Sequence, residues 1–204
     1  PRMGKRLPEV FREQDLDNYF ARTDIYASEI PDTSPEDYRR RMSRAVVSTL
    51  YNTGIRRSEL VSLKRGDIDF SREVMRVRGK GDKMREIPLL HSFCKEISLY
   101  LQSVDTMVGG VWTPGSPLFV TAKGRAVYPE YVARIVKQEL ESAGVFSGRK
   151  SPHVLRHTVA TELLSDGADL NSIKEFLGHS SLAATQVYTH NSIGRLKSVY
   201  ESAH

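Results

Sequence analysis

The residues best suited to chemistry lie in the last quarter of the chain, where imidazole and guanidinium side chains precede a single phenol. A Ser-Pro pair at 151–152 is typical of a helix N-cap and first helical residue, so His153 and Arg156 share one face of the opening turn. Backbone N–H groups and the positive end of the helix dipole meet at such a turn, which makes it a natural phosphodiester site. His179 and Tyr188 follow, nine residues apart.

A phosphodiester could be held between Arg56, Arg156 and His179. Two guanidiniums can fork onto the nonbridging oxygens and neutralise the charge that grows in a pentavalent transition state, which is the work of a metal ion elsewhere. We therefore expect neither a metal nor another cofactor. Tyr188 would attack phosphorus and form a covalent phosphotyrosine, which conserves the bond energy for religation.

Proton transfer needs a second set of residues. The departing 5′ oxygen must be protonated as its bond breaks, and general acid help is typically worth about 100-fold to 10,000-fold in rate. We assign that task to Lys80, at the tip of a hairpin between Gly79 and Gly81. His153 would accept the phenolic proton or orient the phosphate, and the sequence does not divide these tasks between His153 and His179.

Other residues near these motifs have supporting roles or none. Glu59 is expected to brace an arginine, and His157 to support the site or to pack. Tyr200 competes only weakly with Tyr188 as the nucleophile. A zinc site at His153 and His157 is disfavoured, because neither a Glu-x-x pattern nor a third carboxylate ligand accompanies them.

The apolar pattern predicts an α+β fold that is mainly helical, with one small antiparallel sheet. Ser34-Pro35 starts the clearest helix and Gly54 stops it. The other expected helices cover about 11–20, 55–63, 90–104, 132–140 with a stop at Gly144, 152–163, 170–176 and 182–188. The expected strands cover 67–70, 74–78 and 86–89.

Composition indicates one main domain in a chain of 204 residues, 39% of them apolar and 27% charged. A net charge of +5 and a pI near 9.3 favour a polyanionic partner. Clustered cations add to this and suggest a DNA footprint. The clusters are Arg39-Arg40-Arg41-Arg44, Arg56-Arg57, Lys64-Arg65, Arg76-Arg78-Lys80-Lys83-Arg85, Lys123-Arg125 and Arg149-Lys150.

The single cysteine, Cys94, excludes an internal disulfide and a thiolate-rich metal site, and fits a reducing compartment. No apolar run approaches the roughly 20 residues of a membrane span, so we expect a cytoplasmic protein without a membrane partner. Residues 1–33 are polar and are predicted to form a linker and lead-in segment. The start at Pro1 suggests a fragment whose N-terminal domain is missing, with the catalytic domain at 34–204 and a C-terminal tail at 189–204.

Taken together, the motifs resemble the tyrosine recombinases, or phage integrases, and especially their Xer-like branch. They occur in the family's order between residues 53 and 188, and their combination is far more specific than any one of them. The matching segments are Thr53-Gly54-Ile55-Arg56-Arg57-Ser58-Glu59-Leu60, Gly79-Lys80-Gly81-Asp82-Lys83, His153-Val154-Leu155-Arg156-His157, Leu177-Gly178-His179 and Tyr188.

The resemblance implies that Tyr188 is the nucleophile and that Glu59 is the acidic residue near the first arginine. The remaining active-site set would be Arg56, Lys80, His153, Arg156 and His179. It also implies a mostly helical catalytic domain that follows a separate domain gripping the other face of double-stranded DNA. Four protomers would join two duplexes at a specific site and exchange strands through 3′-phosphotyrosine intermediates and a Holliday junction, without metal or nucleotide. The C-terminal tail would dock onto a neighbouring protomer or onto its own domain.

Two other functions fit part of the sequence. One is a DNA-binding regulator with an unused active site, because the short helices around Ile173 and Leu182 could form a helix-turn-helix. The intact set of catalytic positions argues against it. The other is a type IB topoisomerase-like enzyme, which would use the same chemistry to relax supercoils without exchanging strands.

Overall fold

The computed structural model describes residues 13–24, 34–142 and 150–178, which form a mainly helical domain with one small antiparallel sheet, as predicted. The helices are α1 (Glu13–Arg22), α2 (Pro35–Thr53), α3 (Arg57–Ser62), α4 (His91–Ser103), α5 (Pro129–Ser142), α6 (Pro152–Ser165) and α7 (Leu170–Leu177). The strands are β1 (Ile68–Asp69), β2 (Val74–Arg78) and β3 (Met84–Pro88).

Helix α2 lies at the centre of the fold and packs against α4, α5 and α6. It begins where predicted, because the Ser34 hydroxyl accepts a hydrogen bond from the Asp37 backbone N–H at 3.1 Å and Pro35 occupies the first helical position. It ends at Gly54, whose left-handed conformation (φ +63°) lets its N–H reach the carbonyl of Leu50. The chain then turns sharply towards α3.

The sheet has the order β1-β2-β3, with both pairs antiparallel. Strand β3 begins at Met84, two residues earlier than the sequence predicted, because the ladder continues to the pair Arg78 and Met84. The Gly79 N–H then closes the turn by donating to the Lys83 carbonyl at 2.7 Å. Strand β1 is shorter than predicted and pairs over only two residues.

Helix α1, which lies within the predicted linker and lead-in segment, packs onto the same core as the other helices. Leu16 and Tyr19 are fully buried, and the Tyr19 hydroxyl donates to Glu139 of α5 at 2.8 Å. The Arg44 guanidinium of α2 donates to the Phe20 carbonyl at 2.7 Å. Helix α1 therefore packs against elements of this chain, while a domain boundary at residue 33 stays a prediction.

Several sequence predictions fall outside the described residues. These are the remainder of the linker, the stop at Gly144, the helix at 182–188 and the tail at 189–204. Within the described ranges, no helix combines the length and apolar character needed to cross a bilayer.

We expect Gly54→Ala to lower the free energy of unfolding by about 2–4 kcal/mol, the sum of left-handed strain and overpacking. A Cβ at Gly54 would lie 2.6 Å from Leu177 Cδ2 and 3.3 Å from Val159 Cγ1. Urea unfolding measures the loss. Gly81→Ala is the matched control, since Gly81 has a similar φ of +73° with nothing within 4 Å of its added Cβ. Its loss should be only about 1 kcal/mol, and equal losses in both variants would contradict the role of the contact.

Candidate active site

Arg156 is a buried cation that ties three helices together. It lies in the first turns of α6, which Ser151 caps, and only 6% of the residue is exposed. Its Nη1 donates to the Gly54 carbonyl at the end of α2, and its Nη2 donates to the Leu177 carbonyl at the end of α7, both at 2.5 Å. A guanidinium has five N–H groups, and these two hydrogen bonds to described residues use two of them.

Arg56 lies at the N-cap of α3 and approaches the same place from the other side. Its backbone N–H donates to Glu59 Oε1 at 2.8 Å, which closes the first turn of the helix. Its guanidinium donates to the Gly178 carbonyl at 3.4 Å, and 36% of the side chain is exposed. Arg56 is therefore the more accessible of the two cations.

The guanidinium groups of Arg56 and Arg156 meet at the carboxyl end of α7. A helix ends in unpaired carbonyls that carry partial negative charge, and α7 ends at Gly178 in the left-handed conformation. Three arginines from three other elements each donate to one of three consecutive carbonyls there. The pairs are Arg85 with Phe176, Arg156 with Leu177 and Arg56 with Gly178.

Arg56, Arg85 and Arg156 form a cluster of arginines, and the three side chains lie close enough together to shift the pKa of Arg156. Burial lowers the pKa of Arg156 to about 9, helped by the charges of Arg56 and Arg85 and opposed by Glu59. The side chain still carries its charge at neutral pH. A partly desolvated cation beside two others strongly favours an anion, because charges interact more strongly away from water.

Glu59 braces an arginine, as the sequence predicted, but its main partner is Arg85. The carboxylate is buried and accepts two hydrogen bonds from the Arg85 guanidinium, at 2.6 and 3.0 Å. Arg56 Nη1 lies 3.7 Å from the same carboxylate. Burial raises the pKa of Glu59, but the hydrogen bonds and charge of Arg85, with Arg56, outweigh it and hold that pKa below its ordinary value.

Arg85 is the site neighbour that the sequence reasoning missed, since it was counted only within a basic cluster. Its position gave a signal. Arg85 and Ile87 are two residues apart in β3, so both side chains lie on the buried face of the strand. Two other arginines of the expected DNA footprint are paired inside the protein. Arg41 is buried against Asp37, and Arg44 donates to Glu96 at 2.9 Å. For these three side chains the expectation of a solvent-facing footprint was wrong.

His153 and His157 form a pair on consecutive turns of α6. Their Nε2 atoms lie 2.9 Å apart and their rings are nearly perpendicular, so one nitrogen donates and the other accepts. Burial, with the charges of His153 and Arg156, lowers the pKa of His157. His153 is exposed and His157 is half-buried behind it. Across the described ranges, no group of three or more His, Cys, Asp or Glu side chains gathers in a way that could hold a metal ion.

The hairpin turn that carries Lys80 rests against the cluster. A Cβ at Gly79 would lie 3.2 Å from Glu59 Oε2 and 3.3 Å from Arg85 Nη1, so a side chain there would have to displace these atoms by a few tenths of an ångström. Lys80 itself is exposed. In the part of the chain that the structure describes, the Lys80 side chain has no hydrogen-bond or ion-pair partner. His179 and Tyr188 lie outside the described residues.

The profile of the phage integrase family matches residues 26–195. The chain belongs to the phage integrase family. This confirms the resemblance that the motifs predicted.

The chain is similar in sequence to several tyrosine recombinases. The chain is 44% identical over 172 residues to the tyrosine recombinase XerC of Pelobacter propionicus, covering 84% of the chain and 55% of the relative. It is 35% identical over 216 residues to XerC of Chlorobaculum parvum, covering all of the chain and 63% of the relative. The chain thus spans less than two thirds of these relatives.

Solved structures of the family show the same fold. The XerA recombinase superposes with a TM-score of 0.69 at 27% identity, covering all of this chain and 63% of that one. The XerH site-specific recombinase, solved bound to its difH substrate before cleavage, gives a TM-score of 0.68 at 24% identity. That alignment covers 96% of this chain and 50% of the XerH chain.

In this phage integrase family member, we expect the lowered pKa of Glu59 to make folding sensitive to acid. An ionised, paired carboxylate stabilises the fold above its ordinary pKa of about 4.3, and that stability is lost as the pH falls towards the lower folded value. Glu59→Gln should cost about 3 kcal/mol at neutral pH and flatten the fall in unfolding free energy below about pH 4.3. Denaturant unfolding across this range measures both. An unchanged acid slope in the variant would contradict the prediction.

Proposed function

We propose that this protein cleaves and rejoins double-stranded DNA at a specific site through a covalent 3′-phosphotyrosine, as a site-specific recombinase. The observation that carries the proposal is the convergence of Arg56 and Arg156 on adjacent carbonyls at the end of α7. The next residue in the chain is His179. The names of the similar XerC proteins and of the XerA and XerH structures support recombination, and favour it over a regulator or a relaxing enzyme.

The two arginines would divide the work on the phosphate. Arg56, half-exposed, would meet an incoming nonbridging oxygen first, while Arg156 would donate to the second through N–H groups other than the two that bind the Gly54 and Leu177 carbonyls. Both are held by backbone carbonyls before DNA arrives. Such preorganised donors stabilise charge that develops in the transition state without having to reorganise, so no metal ion is required in this scheme.

The proton steps use the imidazoles and Lys80. Tyr188 would attack phosphorus, its proton passing to His153 or His179, and Lys80 would protonate the departing 5′ oxygen. The packing of Gly79 against the Glu59–Arg85 pair supports this role for Lys80, because it brings the base of the turn to the cluster. The contact between His153 and His157 requires one unprotonated ring nitrogen as its acceptor, which supports a neutral imidazole in the pair.

The assembly is part of the proposal. We propose double-stranded DNA and other protomers as partners, with four protomers acting on two duplexes and residues 189–204 docking in cis or in trans. The net charge of +5 supports a DNA partner, as does the DNA-bound state of the XerH structure. We further propose that residues 34–204 form the catalytic domain, that residues 1–33 lead into it from a separate DNA-binding domain, and that the protein acts in the cytoplasm.

A nicked suicide substrate tests the function. When cleavage releases a short strand that diffuses away, religation stops and the covalent protein–DNA adduct accumulates. We expect this adduct without added metal, and recombinant products with intact paired sites. Sequence-specific binding without adduct would favour the regulator, and relaxation of supercoils without recombinants would favour the topoisomerase-like enzyme.

A further inference from the structure

Arg85 is a buried cation that the proposed chemistry does not use. Only 7% of the residue is exposed, and it lies in the middle of β3 opposite Val77. A charge in that position is unfavourable unless partners satisfy its N–H groups in good geometry. Its partners therefore indicate what the residue does.

The Arg85 guanidinium contacts two helices of the proposed site. They are α3, whose N-cap is Arg56, and α7, whose end accepts hydrogen bonds from Arg56 and Arg156. Nη1 and Nη2 grip the two oxygens of Glu59, and Nε donates to the Phe176 carbonyl at 3.0 Å. Glu59 in turn accepts the backbone N–H of Arg56. One side chain thus holds the start of α3 and the last turn of α7.

The same guanidinium also touches the two glycines that border the site. A Cβ at Gly178 would lie 2.8 Å from Arg85 Nη1, and one at Gly79 would lie 3.3 Å from the same nitrogen. Gly79 leads into Lys80, and Gly178 leads into His179. The Arg85 side chain is thus the common contact of three segments that bear proposed catalytic residues.

We propose that Arg85 is a positioning residue for DNA cleavage, which holds the Arg56, Lys80 and α7 segments in the spacing that cleavage needs. The inference rests on the proposed function. Arg85 does not reach the phosphate in this scheme, because its contacts are with Glu59 and the Phe176 carbonyl. Its loss should therefore slow the chemical step more than it weakens DNA binding.

Arg85→Lys tests this, because lysine keeps the charge but cannot grip both Glu59 oxygens and a carbonyl together. We expect the single-turnover cleavage rate on a nicked substrate to fall about 100-fold, the effect of a displacement of about 1 Å. DNA affinity should change little. Arg72→Lys is the matched control, since Arg72, in the turn between β1 and β2, also donates to both oxygens of a glutamate, Glu86 of β3, through its two Nη atoms but is half exposed. It should cleave at the normal rate.

A double variant separates positioning from stability. Glu59→Gln with Arg85→Met removes both buried charges, so thermal stability should recover relative to Arg85→Met alone. The cleavage rate should stay low. Recovery of the rate along with stability would reduce Arg85 to a structural role and overturn the inference.

The rates of the unsubstituted protein distinguish the two proposals. If it forms adduct and folded Arg85→Lys cleaves equally fast, the inference fails while the proposed function stands. If it forms no adduct on cognate DNA, the proposed function fails and takes the inference with it.

Discussion

In the Tyr188→Phe variant, we expect the covalent protein–DNA adduct to disappear, with cleavage slowed on the order of 1,000-fold or more. The phenolic oxygen is the atom that joins phosphorus in the proposed step, and phenylalanine removes it while keeping the ring. DNA affinity should stay close to normal, because contacts with the phosphate backbone supply most of the attraction. Denaturing gels of a nicked substrate measure the adduct, and mobility shifts measure the affinity.

Tyr200→Phe is the matched control, since it removes the same hydroxyl twelve residues further along. It should form adduct at the normal rate. Adduct that persists in Tyr188→Phe and vanishes in Tyr200→Phe would move the nucleophile to Tyr200. Adduct that persists in both would remove the assignment from either residue.

For Arg156→Lys we expect turnover to fall about 100-fold to 1,000-fold, as when one preorganised donor to a transition state is lost. A single ammonium cannot hold the Gly54 and Leu177 carbonyls and also fork onto a phosphate. The missing contact matters most when charge builds on the nonbridging oxygens. Affinity for DNA should therefore fall much less than turnover. Single-turnover cleavage and equilibrium binding at one fixed salt concentration measure the two effects.

Two controls make the Arg156 result interpretable. The substitution removes a partner from buried carbonyls, so thermal unfolding of the variant sets a temperature at which it is fully folded. Arg134→Lys makes the same change at an exposed position of α5 outside the basic clusters, where Arg134 donates to the Tyr128 hydroxyl at 2.8 Å, and should alter neither rate nor affinity. Equal losses of turnover and affinity in Arg156→Lys would contradict a role in the transition state.

Features that depend on neighbouring residues could be predicted from the sequence. The start and end of α2 follow from Ser34, Pro35 and Gly54, because capping and left-handed backbone are properties of a few adjacent residues. Strand β2 was predicted with its observed bounds for the same reason, since alternation over five residues is local. The motif residues were identified by type and spacing, which also predicted the family correctly.

Features that depend on packing could not be predicted in this way. Arg44 and Arg85 look like any other members of basic clusters, yet each is paired inside the protein with an acidic residue far away in the sequence. The periodicity of a helix or strand predicts which face of that element a residue lies on. It does not give the partner that the face meets.

The sequence by itself determined the fold class and the family, and it proposed the residues of the candidate site. Only the tertiary structure decided that the end of α7 gathers three guanidiniums. Arg156 reaches a carbonyl 102 residues away and Arg85 reaches one 91 residues away, so no periodicity within a helix or strand encodes these contacts. They form because burying the shared core brings distant helix ends together, where unpaired carbonyls and buried cations satisfy one another.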